Sequence, residues 1–203
     1  MKALLLMFLT LAAFPAVSFA QSSSPAPKTE TANTSKNETV KKRPTAQDLS
    51  ARVPAAKPDD VKSLDSILIA IYDVISGPAG DRDWNRFRSL FVPEARLTSA
   101  TKKDGGPVRL FDVDGYARGA GGYFKAHAFY EKSVVNRVDK FGSIAQVFSS
   151  YESRNAPNEK PFARGVNSIQ LFNDGTRWWV LSILWDEESP ANQLPPELSA
   201  PAK

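Results

Sequence analysis

The sequence predicts an α+β domain: a cone-shaped, curved antiparallel sheet packed on three helices toward the N-terminal side. Three observations point there. Apolar residues between Asp59 and Ser76 recur at helical spacing. From Phe129 to Glu187 the chain reads as long segments of period-two alternation. These strand-like segments are consecutive and follow the helices, so they form an antiparallel meander with the helices on one face.

Taken in order, the first helix carries Val61, Leu64, Ile67, Leu68, Ile71, Val74 and Ile75 on one stripe. Asp59 or Asp60 caps it, and Gly77-Pro78 stops it. A shorter second helix starts at Asp81 or Asp83, places Trp84, Phe87, Leu90 and Phe91 on one face, and ends at Pro93. "ARLTSA" reads as a short strand, and "KKDGGPVRLF" as a turn and a second short strand. A third helix covers about Asp114 to Ala126, against the cost of its glycines, roughly 1 kcal/mol each relative to alanine. "FYEKSVVNRV", "IAQVFSSYESR", "FARGVNSIQLF" and "TRWWVLSILWDE" are the four long strands, the last two joined by an Asn173-Asp174-Gly175 turn. On the last strand, strict alternation puts Arg177, Trp179, Leu181, Ile183 and Trp185 on one face and Trp178, Val180, Ser182 and Leu184 on the other. Both faces are largely apolar, so both are expected to be covered.

The flanks are of different composition. Residues 1 to 20 have one basic residue, Lys2, then an apolar run and a small-residue site at Ser18-Phe19-Ala20, which reads as a signal peptide and predicts an exported, periplasmic or secreted protein. Residues 21 to 57 are rich in Ser, Pro, Ala, Thr and Lys and read as a disordered basic spacer. The folded domain is expected over residues 58 to 188, with a Pro-rich disordered tail over 189 to 203. Of the formal charge of +4, the spacer carries seven Lys/Arg against three acids. The domain is therefore near neutral, which speaks against nucleic-acid binding. The spacer suits weak contact with an anionic surface. With no cysteine in 203 residues, disulfides, thiolate metal sites and thiol nucleophiles are excluded. "RGAGGYF" (118 to 124) lacks the Lys-Ser/Thr ending of a phosphate loop and the third glycine of a dinucleotide fingerprint. No cofactor or metal is expected.

With these elements in place, "DWNRFRSLFVPEARL" and "NDGTRWWVLSILW" resemble the nuclear transport factor 2-like superfamily, which includes ketosteroid isomerase, scytalone dehydratase and the SnoaL-like polyketide cyclases. The resemblance spans about residues 58 to 188. It implies a cone with an apolar pocket at its open end and a homodimer through the sheet. The position of the isomerase base falls on Ser99, whose hydroxyl is no base near neutral pH without an activating partner. Tyr72 lies near the family's oxyanion tyrosine. His127, the only histidine, paired with Glu131 or Asp139, is the acid–base pair that a dehydratase-like site implies.

From the residues themselves, polar side chains in the middle of central strands need partners or a ligand when buried. Glu131, Tyr151, Arg164, Asn167 and Gln170 are the pocket candidates on that ground, joined by Tyr72 and Trp185 as ligand-binding residues. Alternation separates Asn167 from Arg164 and Gln170 unless a bulge at Gly165 intervenes. The functional expectation is an exported domain that binds a small apolar or amphipathic molecule. The alternative is a cyclase, dehydratase or isomerase acting on a carbonyl or polyketide-like substrate.

Overall fold

Side-chain caps fix where the three longer helices begin. The structure, a computed structural model, describes residues 49–101 and 107–199. The stripe expected as one helix is two: α1 (Pro58–Val61) and α2 (Leu64–Asp73). The break falls at Ser63, whose hydroxyl accepts from the Ser66 amide and starts the second helix afresh. Asp60, expected as a cap, turns to Arg86 instead. Arg86 donates to both Asp60 oxygens at 2.7 and 2.9 Å and to Asp73 at 2.6 Å, tying α1 and α2 to α3 (Trp84–Ser89). Its hydrogen bond holds the Asp60 carboxyl below the usual range. Asp83 caps α3 and Asp112 caps α4 (Val113–Ala126). The glycines do not break α4, because its Val113, Ala117 and Phe124 are buried, and an added Cβ at Gly121 would stand 3.4 Å from the Trp84 ring. Helix α3 ends at Ser89, short of Pro93, which lies inside the first strand.

The strands are β1 (Phe91–Ser99), β2 (Arg109–Phe111), β3 (Tyr130–Phe141), β4 (Ile144–Arg154), β5 (Ala163–Asn173) and β6 (Trp178–Glu187). They form one sheet in the order β2-β1-β6-β5-β4-β3. Strands β3 to β6 are the expected antiparallel meander. Strand β1, however, lies parallel to β6, so the sheet is mixed. It is curved and unclosed, with the helices against one face, which makes the fold α+β.

Pairing sorts the faces. Ile169 pairs with Ile183, but Leu171 pairs with Val180, so β6 holds a bulge at Leu181. Strict alternation along β6 therefore fails. Trp178 and Val180 join Ile183 and Trp185 on the inner face, while Trp179 pairs with Phe172. Strand β5 keeps its register through Gly165, with no bulge there. Asn167 accordingly faces inward with Ile169 and Leu171, and Arg164 and Gln170 face outward. The β5–β6 turn is closed by Asp174, whose carboxylate accepts from the amides of Thr176 and Arg177 and from the Trp179 indole at 2.6 Å. Gly175 supplies its positive φ of 96°. The core gathers Ile67, Leu90, Phe91, Val147, Ile169, Trp179 and Val180, all essentially without exposure.

Both flanking segments contribute where they are described. Leu49, Val53 and Ala56 pack on the core, and Arg52 pairs with Glu94. After β6, a 3-10 turn at Pro196–Leu198 leaves Leu198 buried, in a pocket it shares with Ser150 of β4 and Val134 of β3. Residues 1–48, which hold the expected signal peptide and most of the expected spacer, lie outside the described residues.

Candidate functional site

The inner face changes character toward one end of the sheet. On β5 the inward column runs Leu171, Ile169, Asn167, Gly165; on β4 it runs Ala145, Val147, Ser149, Tyr151, Ser153. On β6 Trp185 and Glu187 follow Ile183, and Glu131 stands on β3 opposite Ser153. These polar ends meet helices α2 and α4 around a cavity of about 170 Å³. Its apolar wall includes Ile71, Ile75, Phe87, Leu97 and Ile183; its polar wall includes Glu131, Ser153, Tyr151, Asn167 and Glu187. Phe162 lines the cavity while 51% exposed, which places it at the rim. Tyr116 of α4 completes the aromatic side, edge-on to Trp185 at 6.1 Å and stacked with Phe87 at 5.3 Å.

Glu131 is the centre of the polar wall. Its Oε2 accepts from Ser153 Oγ at 2.7 Å, and the Asn167 amide donates to it as well. Desolvation dominates all the same, and with Glu187 adding a like charge it lifts the carboxyl from 4.5 to about 7. Glu131 borders both this cavity and a second hollow beside Tyr72, Ser76 and Lys132, and the packing around its carboxyl displaces bulk water. Asn167 is itself held. Its Nδ2 donates to the Tyr72 hydroxyl at 3.1 Å, Tyr72 donates to Ser149 at 2.5 Å, and Ser149 donates to Asn136 Oδ1 at 2.6 Å. This row of bonds runs from the cavity to the exposed Asn136 and fixes which way the Asn167 amide points. Burial and the Glu131 charge push the Tyr72, Tyr116 and Tyr151 hydroxyls upward, so all three stay protonated.

Of the residues singled out in sequence, Glu131, Tyr151, Asn167 and Trp185 meet at the cavity, with Tyr72 one hydrogen bond behind. Arg164 and Gln170 do not; the pleat turns them to the outer face, where Arg164 pairs with Glu188 and Gln170 accepts from Ser182. His127 is exposed, stacked on Tyr123 at 4.5 Å, and lies outside the cavity lining. Asp139 is exposed on the outer face opposite Gln146. Neither of the two reaches Glu131's cavity. Ser99 is wholly buried with no hydrogen-bond partner and does not line the cavity. Sequence reasoning passed over Tyr116, Ser153 and Glu187. Period two alone pairs Glu187 with Trp185 and Ser153 with Tyr151; Tyr116 carries no such signal, because only the packing of α4 brings it in. Among the described residues no group of three or more metal-ligating side chains converges.

Helices against one face of a curved six-stranded sheet, with a cavity between, match the α+β architecture that the resemblance to nuclear transport factor 2-like proteins implies. Several solved structures similar to this chain are described as NTF2-like or cystatin-like. An uncharacterised protein with a cystatin-like fold from Caulobacter vibrioides is 10% identical, with 64% of this chain and 90% of that one covered at a TM-score of 0.49. A protein from Streptomyces avermitilis, of the NTF2-like family and assigned as a dehydratase, is 15% identical over 66% and 99% at 0.48. An NTF2-like protein of unknown function from Silicibacter pomeroyi is 12% identical over 63% and 94% at 0.45. No family profile matches the chain, and no curated protein matches it in sequence.

Proposed function

We propose that the domain binds a small, partly apolar molecule in this cavity. The observation that carries the reading is the gathering of Glu131, Asn167, Tyr151 and Ser153 on one wall of an otherwise apolar and aromatic cavity. Few, placed polar groups in an apolar hollow are what orients a small ligand. The volume sets the size: an apolar cavity of about 150 Å³ accepts benzene, so about 170 Å³ takes a body of one ring. A larger ligand would have to extend past Phe162. Thermal-shift screening against small hydrophobic metabolites, with Trp185 fluorescence as a second readout, tests the reading. No stabilisation and no fluorescence change across one-ring compounds at millimolar concentration would sink it.

A second reading is favoured by one observation, the Glu131 carboxyl at about 7. A carboxyl that gains and loses a proton at neutral pH is matched to general acid–base work on a bound molecule, such as a carbonyl compound undergoing isomerisation or dehydration. Under this reading Glu131→Gln keeps binding and loses turnover; equal turnover by the variant would remove it. Export of the chain and a homodimer through the outer sheet face belong to the same proposal. The outer face exposes Phe141, Ile144, Leu181 and Leu184.

A further inference from the structure

We infer that Phe162 is the gate of the cavity and the residue that sets the size of its ligand. A molecule enters when the Phe162 ring swings aside, and a body longer than one ring is turned away by it. The inference rests on the binding role proposed above and goes on to how that site selects.

Position comes first. Among the described residues that line the cavity, Phe162 is the exposed one, at 51%; the others are buried or half-buried. The deep walls, from Ile71, Ile75, Phe87, Leu97 and Ile183, are closed to solvent. The lining therefore meets bulk water most openly at this one ring.

The two phenylalanines at the rim are held differently. Phe129 is a fixed jamb. Its backbone exchanges two hydrogen bonds with Gly77, at 2.7 and 3.0 Å, and its ring lies 5.0 Å from that of the buried Phe124. The Phe162 ring has one ring contact among the described residues, edge-on to Phe129 at 6.2 Å. Its backbone, in contrast, is tied down. The Phe162 amide donates to the Ser153 carbonyl at 2.9 Å, and Pro161 before it has a fixed φ. The preceding loop is closed on itself, with the Glu159 amide on the Ala156 carbonyl and Arg154 Nε on the Glu159 carbonyl at 2.8 Å. The moving part is thus the side chain and not the loop. Exposed side chains change rotamer within about nanoseconds, so the ring can open without unfolding its surroundings.

Size follows from volume. The space of about 170 Å³ is filled by one ring. A second ring has no room among the buried walls and must lie at the mouth, where the Phe162 side chain already stands. Displacing that side chain into water exposes more apolar surface and gives up its contact with Phe129, which costs affinity.

The test uses the full chain, native and Phe162→Ala, with benzyl alcohol and 4-phenylbenzyl alcohol as one-ring and two-ring probes, followed by stopped-flow tryptophan fluorescence. The native chain should bind the two-ring probe about tenfold more weakly than the one-ring probe. In Phe162→Ala that gap should close to within about threefold. Association and dissociation of benzyl alcohol should both quicken by about fivefold in the variant, because a gate slows passage in either direction. Faster dissociation alone would mean that Phe162 only touches the ligand, and overturns the gate. If Phe162→Ala does not fold by its melting curve, Phe162→Leu carries the same comparison with smaller changes of the same sign. A native chain that takes both probes alike, or a discrimination that survives in the variant, overturns the inference and leaves the binding role standing. If neither probe binds to either chain, the binding role itself falls and this inference with it.

Discussion

The two ends of one sheet obey different rules. At the closed end Val147, Ile169, Val180 and Trp179 leave no exposed surface, and the polar atoms there are answered within the fold: the Trp179 indole by Asp174, and the Asp174 carboxylate by two backbone amides. At the open end the same strands carry inward the Glu131 carboxylate with its raised pKa, the Tyr151 phenol, the Asn167 amide and a second carboxylate, Glu187. The hydrophobic effect explains the first end completely. It argues against the second, because each buried polar group costs free energy unless it is paired. Under the binding proposal a small ligand completes that wall, and stability is then lower at the site than in the core.

The largest effect should appear at the closed end. Trp179→Ala removes a ring with no exposure and should cost about 3–5 kcal/mol in chemical denaturation. Trp185→Ala, at the cavity and partly exposed, should cost no more than half of that. Equal losses would erase the distinction between the ends.

Next in size is Glu131→Gln, with the opposite sign. The folded carboxyl titrates at about 7 against 4.5 for the ordinary group. Between those values the folded state holds a proton that the unfolded state has lost, so stability falls as pH rises through the window and is flat above it. The variant removes this penalty and should be more stable than the native chain by roughly 2–3 kcal/mol at pH 8, with no difference below pH 4. Urea midpoints from pH 4 to 8 check it; a variant less stable at pH 8 would mean that Glu131 is a paired structural carboxylate.

This division was only partly visible in the sequence. The meander, the helical regions and the turn at Asn173-Asp174-Gly175 could be read because local periodicity and turn chemistry dictate them, whereas the caps at Ser63 and Asp112 were not. That β1 would join β6 in parallel could not, since no local pattern records a partner distant in sequence. The faces were half legible. Alternation separated Asn167 from Arg164 and Gln170, yet which set lined the interior depended on where the helices packed. On β6 the bulge at Leu181 reversed the assignment of Trp178 and Val180, because a single extra residue flips every side chain beyond it. His127 attracted notice as the only histidine, and rarity in a sequence says nothing about position; α4 ends with it in solvent.

A smaller effect belongs to the row of bonds that runs from the cavity to Asn136. Tyr72→Phe removes the hydroxyl that stands between Asn167 and Ser149, both almost wholly buried. Two polar groups then lose one partner each, which should cost about 1–2 kcal/mol. If the row also aims the Asn167 amide at Glu131, the loss of that donor should move the midpoint of the pH-dependent stability window upward. A stability loss with an unmoved midpoint would confine Tyr72 to packing.

The smallest effect on folding is expected outside the cone, where the contrast between the ends disappears. Ile144 and Leu184 are 60% and 46% exposed on the outer face, so changing each to Ser removes little buried surface and should alter unfolding by less than about 0.5 kcal/mol. Their exposure still matters, because contiguous apolar surface on a soluble domain is usually covered by a partner. Strand pairing puts Phe141, Ile144 and Phe172 side by side at one corner of that face. Under the homodimer proposal the double variant sediments as a monomer at a concentration where the native chain is a dimer, with its melting curve otherwise intact. A native chain that is monomeric at tens of micromolar removes the dimer. The cavity would be untouched by that result, since its walls come from the inner face of a single chain.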